Sequence, residues 1–242
     1  MIQSLTKQEF NRKLKEHRGS LIQIAIAVVV LLFGFALLVY NVLTYFNLST
    51  GIIEAILTQW MILFLYGFGT LIVGYLLRTN QQLTWSVFKT IIDQFLAKSL
   101  LLSLELGVLA FILNLITLMF STFVWILFIP LMLYSSGAFL LILDYPTTSN
   151  QKLIVLGFKK GRELLSLMRT LNVGNVLMYS FFLLSMISFA SSLLELSWEV
   201  RQTISSVNVA LFLIWAPLCA LHMMFETGYV YSYSTTLTRN ES

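Results

Sequence analysis

Residues 21–46 read LIQIAIAVVVLLFGFALLVYNVLTYF, an apolar run without a single charged side chain. A helix that crosses the hydrocarbon core of a membrane needs about 20 such residues, so this run is long enough to span it. The apolar region of a secretory signal peptide covers only about 7–15 residues and ends at a small-residue cleavage site. The run therefore predicts a transmembrane helix that the protein retains.

The same apolar character extends along the chain, in which 58% of residues are hydrophobic and 11% are charged. Soluble domains carry about 25% charged residues, so most of this surface is predicted to face lipid. We predict an all-α fold, a polytopic transmembrane helix bundle of about six spans over residues 21–230. Only Ser121 and Thr122 separate the third span from the fourth. The predicted spans cover about 21–46, 52–77, 100–120, 123–143, 173–194 and 207–229.

Basic residues are distributed unevenly between the two ends of these spans. Fourteen of the 15 Lys and Arg residues fall in the N-terminal segment 1–20, in the links after the second and fourth spans, or in the tail 231–242. Arg201 is the exception. Because cytoplasmic loops carry the excess of Lys and Arg, both termini are predicted to be cytoplasmic, in a multi-pass protein of the cell membrane. The net charge of +4 then reflects insertion, and nucleic acid is not predicted as a partner.

The two longer cytoplasmic links, 83–97 and 153–169, have the pattern of amphipathic helices at the inner membrane surface. Apolar side chains recur at helical spacing on one face of each link, and charged ones lie opposite. Basic residues of the second helix could contact anionic lipid or a partner protein, although ordinary cytoplasmic anchoring explains them equally well. The turn before it holds Asp144 and Pro146 and is expected to be structural. The candidate contact residues are Lys159, Lys160, Arg162 and Arg169.

Three ionisable side chains, Glu105, His222 and Glu226, lie inside predicted spans, where burying a charge is costly. His222 and Glu226 are four residues apart and share one helical face. One interpretation is a proton or cation site in the inner half of the membrane. The other is that the carboxyl groups reach interfacial water or nearby basic residues. The other histidine, His17, lies far along the chain, and zinc needs three or four ligands, so no metal, cofactor or catalytic site is predicted.

Gly67, Thr70 and Gly74 form a stripe of small residues in the second predicted span. Small residues let helix backbones approach closely inside a membrane. The stripe therefore predicts a helix–helix contact.

Several motifs of the C-terminal part occur together in one known family. They are the basic amphipathic helix Phe88–Lys98, Ile129-Pro130 in the following span, Leu143-Asp144-Tyr145-Pro146 at its end, and Lys159-Lys160-Gly161-Arg162-Glu163-Leu164-Leu165 in the next helix. In these features the stretch from about Val87 to Tyr229 resembles an uncharacterised family of bacterial, mostly Gram-positive, six-span membrane proteins. It is also similar to the membrane domains of some glycerophosphodiester phosphodiesterases. The resemblance implies a membrane-only fold in a bacterial plasma membrane and transfers no activity.

The sequence leaves three functions open. The first is a non-enzymatic membrane protein that acts through partner proteins or lipids at the cytoplasmic face, in envelope assembly or regulation. The second is the permease subunit of an ATP-driven exporter, in which residues 83–97 or 153–169 would dock an ATPase. The third is a proton-coupled secondary transporter that uses the three intramembrane groups. We prefer the first, because no span carries a convincing set of reactive side chains.

Overall fold

The computed structural model describes residues 7–46, 50–117, 124–168 and 221–233. All regular secondary structure in these ranges is α-helical, which confirms the predicted all-α class. Several predicted features lie outside the described residues: the fifth span, the connection around residues 118–123, Arg169 and the tail beyond residue 233. The helices are α1 (Lys7–Glu16), α2 (Arg18–Tyr45), α3 (Thr50–Thr79), α4 (Trp85–Thr117), α5 (Val124–Leu141), α6 (Asn150–Met168) and α7 (221–233).

The structure corrects the prediction of a separate surface helix over residues 83–97. That segment and the predicted third span form one continuous helix, α4, of 33 residues. Neither Gly nor Pro occurs between Trp85 and Leu106, so nothing interrupts the backbone hydrogen bonds where the apolar pattern changes. The Thr84 hydroxyl caps the start of α4 by accepting a hydrogen bond from the Val87 N–H at 3.4 Å.

Helix α3 is the central helix of the described bundle and packs against α2, α4, α5 and α7. Gly67 lies directly against the Phe139 ring of α5. A β-carbon at Gly74 would lie 2.6 Å from Leu140 Cδ2, also on α5. Both glycines belong to the predicted stripe, so their small size permits the predicted helix–helix contact.

The N-terminal segment is itself partly helical and is packed onto the bundle. The wholly buried Phe10 ring of α1 meets the rings of His222, Phe225 and Tyr229 of α7 edge-on, at centroid distances of 5.4–5.8 Å. These contacts bury apolar area and favour edge-to-face ring geometry. The predicted basic segment 1–20 therefore includes a helix that is part of the folded core.

The loop after α3 is held against the junction of α1 and α2. Asn80 ends α3 in the left-handed region, at a φ of 52°, which asparagine adopts more readily than most residues. Lys13 Nζ donates to Asn80 Oδ1 at 2.9 Å. Ser20 Oγ donates to Gln82 Oε1 and accepts from the Leu83 N–H, both at 2.9 Å. These bonds fix the start of α4 beside the start of α2.

Two stretches among the described residues are long and apolar enough to cross a membrane, Trp60–Thr79 and Trp85–Ile112. The first is the mostly buried central helix, whereas only 33% of the second is buried. Helix α2 also exposes large aliphatic side chains, including Ile26, Val30 and Leu37. Contiguous apolar surface of this kind suits contact with lipid better than contact with water. These features support membrane association; they do not establish six spans or the side on which the termini lie.

Candidate functional site

Helices α5 and α6 form a hairpin whose backbones touch. Gly137 of α5 faces Gly157 and Gly161 of α6, and a β-carbon at Gly161 would lie 2.7 Å from the carbonyl oxygen of Tyr134. Ala138 fills the space opposite Gly157. Because the neighbouring atoms are mostly backbone, they cannot rotate away as a flexible side chain could. The glycines therefore fix α6 on the bundle at the closest approach that two helices allow.

The opposite face of α6 presents basic side chains to the surroundings. Its buried face includes Leu153 and Leu164, and the exposed residues include Lys152, Lys159 and Arg162. This division follows the amphipathic pattern that the sequence predicts for the helix. Of the four candidate contact residues, Lys159 and Arg162 are exposed as the prediction requires, and Arg169 lies outside the described residues.

The fourth candidate, Lys160, has partners within the protein. Its Nζ atom lies 3.0 Å from Glu163 Oε1 on the same helix. It also lies 6.0 Å from the centre of the Tyr231 ring of α7, at the outer limit of a cation–π contact. Lys160 therefore joins α6 to α7, and it is less available to an external ligand than Lys159 or Arg162.

The turn at Asp144 ties three parts of the bundle together. Arg78 Nη1, at the end of α3, lies 2.5 Å from Asp144 Oδ1. Tyr231 of α7 donates its hydroxyl hydrogen to Asp144 Oδ2. Burial, together with this hydrogen bond to a carboxylate, raises the pKa of Tyr231, so the phenol keeps its proton at neutral pH. The expected structural role of Asp144 agrees with this geometry, and Pro146 lies exposed in the same turn.

Helix α4 forms hydrogen bonds with the residues that follow Asp144, up to the start of α6. Lys98 Nζ donates to the Thr148 carbonyl oxygen at 2.5 Å. Asn150 Nδ2, in the first residue of α6, donates to Glu105 Oε1 at 2.9 Å. Glu105 is exposed and makes no hydrogen bond or ion pair with His222 or Glu226 in the described part of the chain. The structure thus uses Glu105 to position α6 and does not bring it into the predicted intramembrane group.

His222 and Glu226 do lie together, one turn apart on α7. The Glu226 side chain is wholly buried and faces Tyr66 of α3, whose hydroxyl is next to Thr227. His222 packs against Phe10 at a ring-centroid distance of 5.8 Å. Its Nε2 atom has no hydrogen bond to the described residues. Glu226 is thus wholly buried and His222 half-buried on the same helix, and Glu105 is not part of this region.

The sequence does not predict that His17 is buried. This residue lies between α1 and α2 and is 3% exposed. Burial lowers its pKa, the nearby charge of Lys13 lowers it further, and Glu16 partly opposes both. The neutral imidazole is thus the form that the fold favours. A polar residue directly before an apolar run was the available signal, and it does not distinguish a buried histidine from an exposed one.

Comparisons of the chain with known protein families, with curated proteins and with solved structures found no match. Within residues 7–46, 50–117, 124–168 and 221–233, no three His, Cys, Asp or Glu side chains gather as ligands for a metal ion. The most distinctive chemical feature of these ranges is the exposed basic face of α6, which is held in place by the hydrogen bonds and the ion pair of the Asp144 turn. A fixed cationic surface of this kind can bind anionic groups.

Proposed function

We propose that this chain is a non-enzymatic membrane protein of the bacterial plasma membrane that acts through lipids or a partner protein at the cytoplasmic face. It crosses the membrane six times with both termini in the cytoplasm. The distribution of Lys and Arg supports this orientation, since 14 of 15 lie in segments on one side of six spans. The bacterial membrane is what the family resemblance implies.

The proposal is carried by the contacts that hold α6 in a fixed position on the bundle. Gly157 and Gly161 fix one face of this helix against α5, and the turn before it is bonded to α3, α4 and α7. Lys159 and Arg162 on the other face remain exposed. The geometry suits a helix that presents cations to an anionic surface, which we propose to be lipid head groups.

The experiment is a lipid titration of the purified full chain in a neutral detergent. Phosphatidylglycerol should raise the thermal unfolding temperature, because a ligand that binds the folded state stabilises it. Each basic residue near an anionic surface contributes about 1 kcal/mol, so the double variant Lys159→Gln/Arg162→Gln should need ~30-fold more lipid for the same shift. Phosphatidylcholine should have little effect on either protein.

The charge-preserving variant Lys159→Arg/Arg162→Lys is the matched control and should respond to phosphatidylglycerol like the wild type. If the double glutamine variant responds at wild-type concentrations, the basic face of α6 is not the lipid contact. A wild-type protein that responds equally to both lipids would contradict the proposal in the same way.

The permease subunit is the second candidate, and the same observation favours it. A helix that is rigidly joined to several membrane helices could transmit the movement of a docked ATPase. The test is to purify the full chain from its own host in mild detergent. An ATPase that co-purifies at equal stoichiometry would support the permease function, and a preparation without an ATPase would exclude it. The proton-coupled transporter gains less support, because Glu105 bonds to Asn150 and lies apart from His222 and Glu226.

A further inference from the structure

A groove of 330 Å³ runs between α2, α3 and the start of α4, away from α6. On the α2 side it is lined from Gln23 to Leu31, and on the α3 side from Leu65 to Ile72. Eight residues of helix correspond to about 12 Å, so the groove is elongated along the helix axes. Its walls are almost entirely aliphatic or aromatic.

The two ends of the groove differ in polarity. One end contains Gln23 and Thr84, the polar members of the lining, together with Trp85 at the start of α4. Trp85 is 77% exposed, and exposed tryptophan is typical of the head-group level of a membrane. The other end, near Leu31 and Leu65, is apolar and lies farther along α2 and earlier in α3. The groove therefore changes from interfacial to hydrocarbon character along its length.

One exposed basic residue lies at the polar end. Lys89 directly follows the lining residue Phe88 on α4. Long basic side chains keep their stems on apolar surface while the charge reaches the head-group level. A negative charge at this end would thus lie near a cation.

We propose that this groove is a binding site for one anionic phospholipid. One acyl chain lies along the groove between α2 and α3, and the head group lies beside Trp85 and Lys89. The proposal rests on the proposed membrane placement of α2 and α3 but is independent of the basic face of α6. It accounts for both the polarity gradient and the position of Lys89, which a purely apolar ligand would not.

The test is native mass spectrometry of the full chain after incubation with equal amounts of phosphatidylglycerol and phosphatidylcholine. We expect one phosphatidylglycerol molecule to survive collisional activation that removes the other lipids. Ala27 lines the groove and is exposed, so Ala27→Phe should fill it and reduce the retained fraction at least about fivefold. Val30→Phe, on the same helix but outside the lining, should retain the lipid like the wild type.

The charge is tested separately. Lys89→Gln should still retain a lipid but lose the preference for phosphatidylglycerol, since the head group then meets no cation. Lys159→Gln/Arg162→Gln should leave the groove lipid unchanged. The thermal titration that tests α6 is therefore made on proteins that also carry Ala27→Phe, so that lipid in the groove does not contribute to the shift. Equal retention by Ala27→Phe and the wild type, or no retained lipid on the wild type, would overturn the proposal.

A second measurement needs no variant. Phosphatidylglycerol with a photoactivatable diazirine in its acyl chain should label peptides that contain residues 23–31 and 65–72. Labels concentrated instead around Leu37 and Leu38, which are exposed on α2 beyond the groove, would show ordinary contact with bulk lipid and would contradict the site.

Discussion

Gly161→Ala should destabilise the protein by about 3 kcal/mol, although it adds a single methyl group. A β-carbon at this position would lie 2.7 Å from the Tyr134 carbonyl oxygen and 2.8 Å from the Tyr134 Cα atom. Neither atom can move unless α5 and α6 separate, because both belong to the backbone. Separation also removes the fit between Gly137 and α6. Thermal unfolding of the purified chain in detergent, followed by circular dichroism, measures the effect.

Gly34→Ala is the matched control on α2. A β-carbon at Gly34 meets nothing within 4 Å, so the change only replaces a poor helix former with a good one. In a helix interior this favours folding by up to about 1 kcal/mol. The two substitutions should therefore shift the unfolding temperature in opposite directions. If Gly161→Ala unfolds at or above the wild-type temperature, the close contact of α5 with α6 is incorrect.

Asp144→Ala should lower the unfolding temperature by at least about 5 °C, which corresponds to roughly 2 kcal/mol for a chain of this size. The change removes the ion pair with Arg78 and the acceptor of the Tyr231 hydroxyl. Hydrogen bonds to charged groups contribute about 1.5–3 kcal/mol each. Because Asp144 and Arg78 are partly exposed, water recovers some of the loss, and the expected cost is at the lower end of this range.

Asp93→Ala on α4 is the control, because Asp93 is exposed and its side chain makes no ion pair with the part of the chain that the structure describes. Its unfolding temperature should stay within about 1 °C of the wild type. Tyr231→Phe alone should lower the unfolding temperature by less than Asp144→Ala does. In the double variant it should lower it little further, since both changes remove the same hydrogen bond. Fully additive effects of the two changes would contradict the network.

The helical class, and the helices α2 and α3 in particular, could be predicted because long apolar runs favour long helices. The turn at Asp144 could also be predicted, since Asp, Tyr and Pro follow one another at the end of an apolar run. Its partners could not. Arg78 and Tyr231 are 66 and 87 residues away from Asp144, and no local pattern joins them.

Glu105 shows why depth in a predicted span does not identify a neighbour. The sequence places it at a height similar to that of Glu226, but the rotation of α4 turns its carboxylate outward, where it meets Asn150. Rotation is set by tertiary packing of faces such as Leu102 and Leu106, which are wholly buried. The sequence predicts a separate helix for the amphipathic start of α4 for a related reason. The apolar pattern changes there, but neither Gly nor Pro interrupts the helix.

The proposed function requires the basic face of α6 to lie in the cytoplasm, and cysteine accessibility tests this placement most directly. In a Cys219→Ser background, Thr147→Cys marks the exposed turn before α6 and Ser49→Cys marks the first predicted outer link. With a membrane-impermeant maleimide on intact spheroplasts, Ser49→Cys should be labelled at once, and Thr147→Cys only after permeabilisation. Labelling of Thr147→Cys on intact spheroplasts would place α6 outside the cytoplasm and contradict the proposed function.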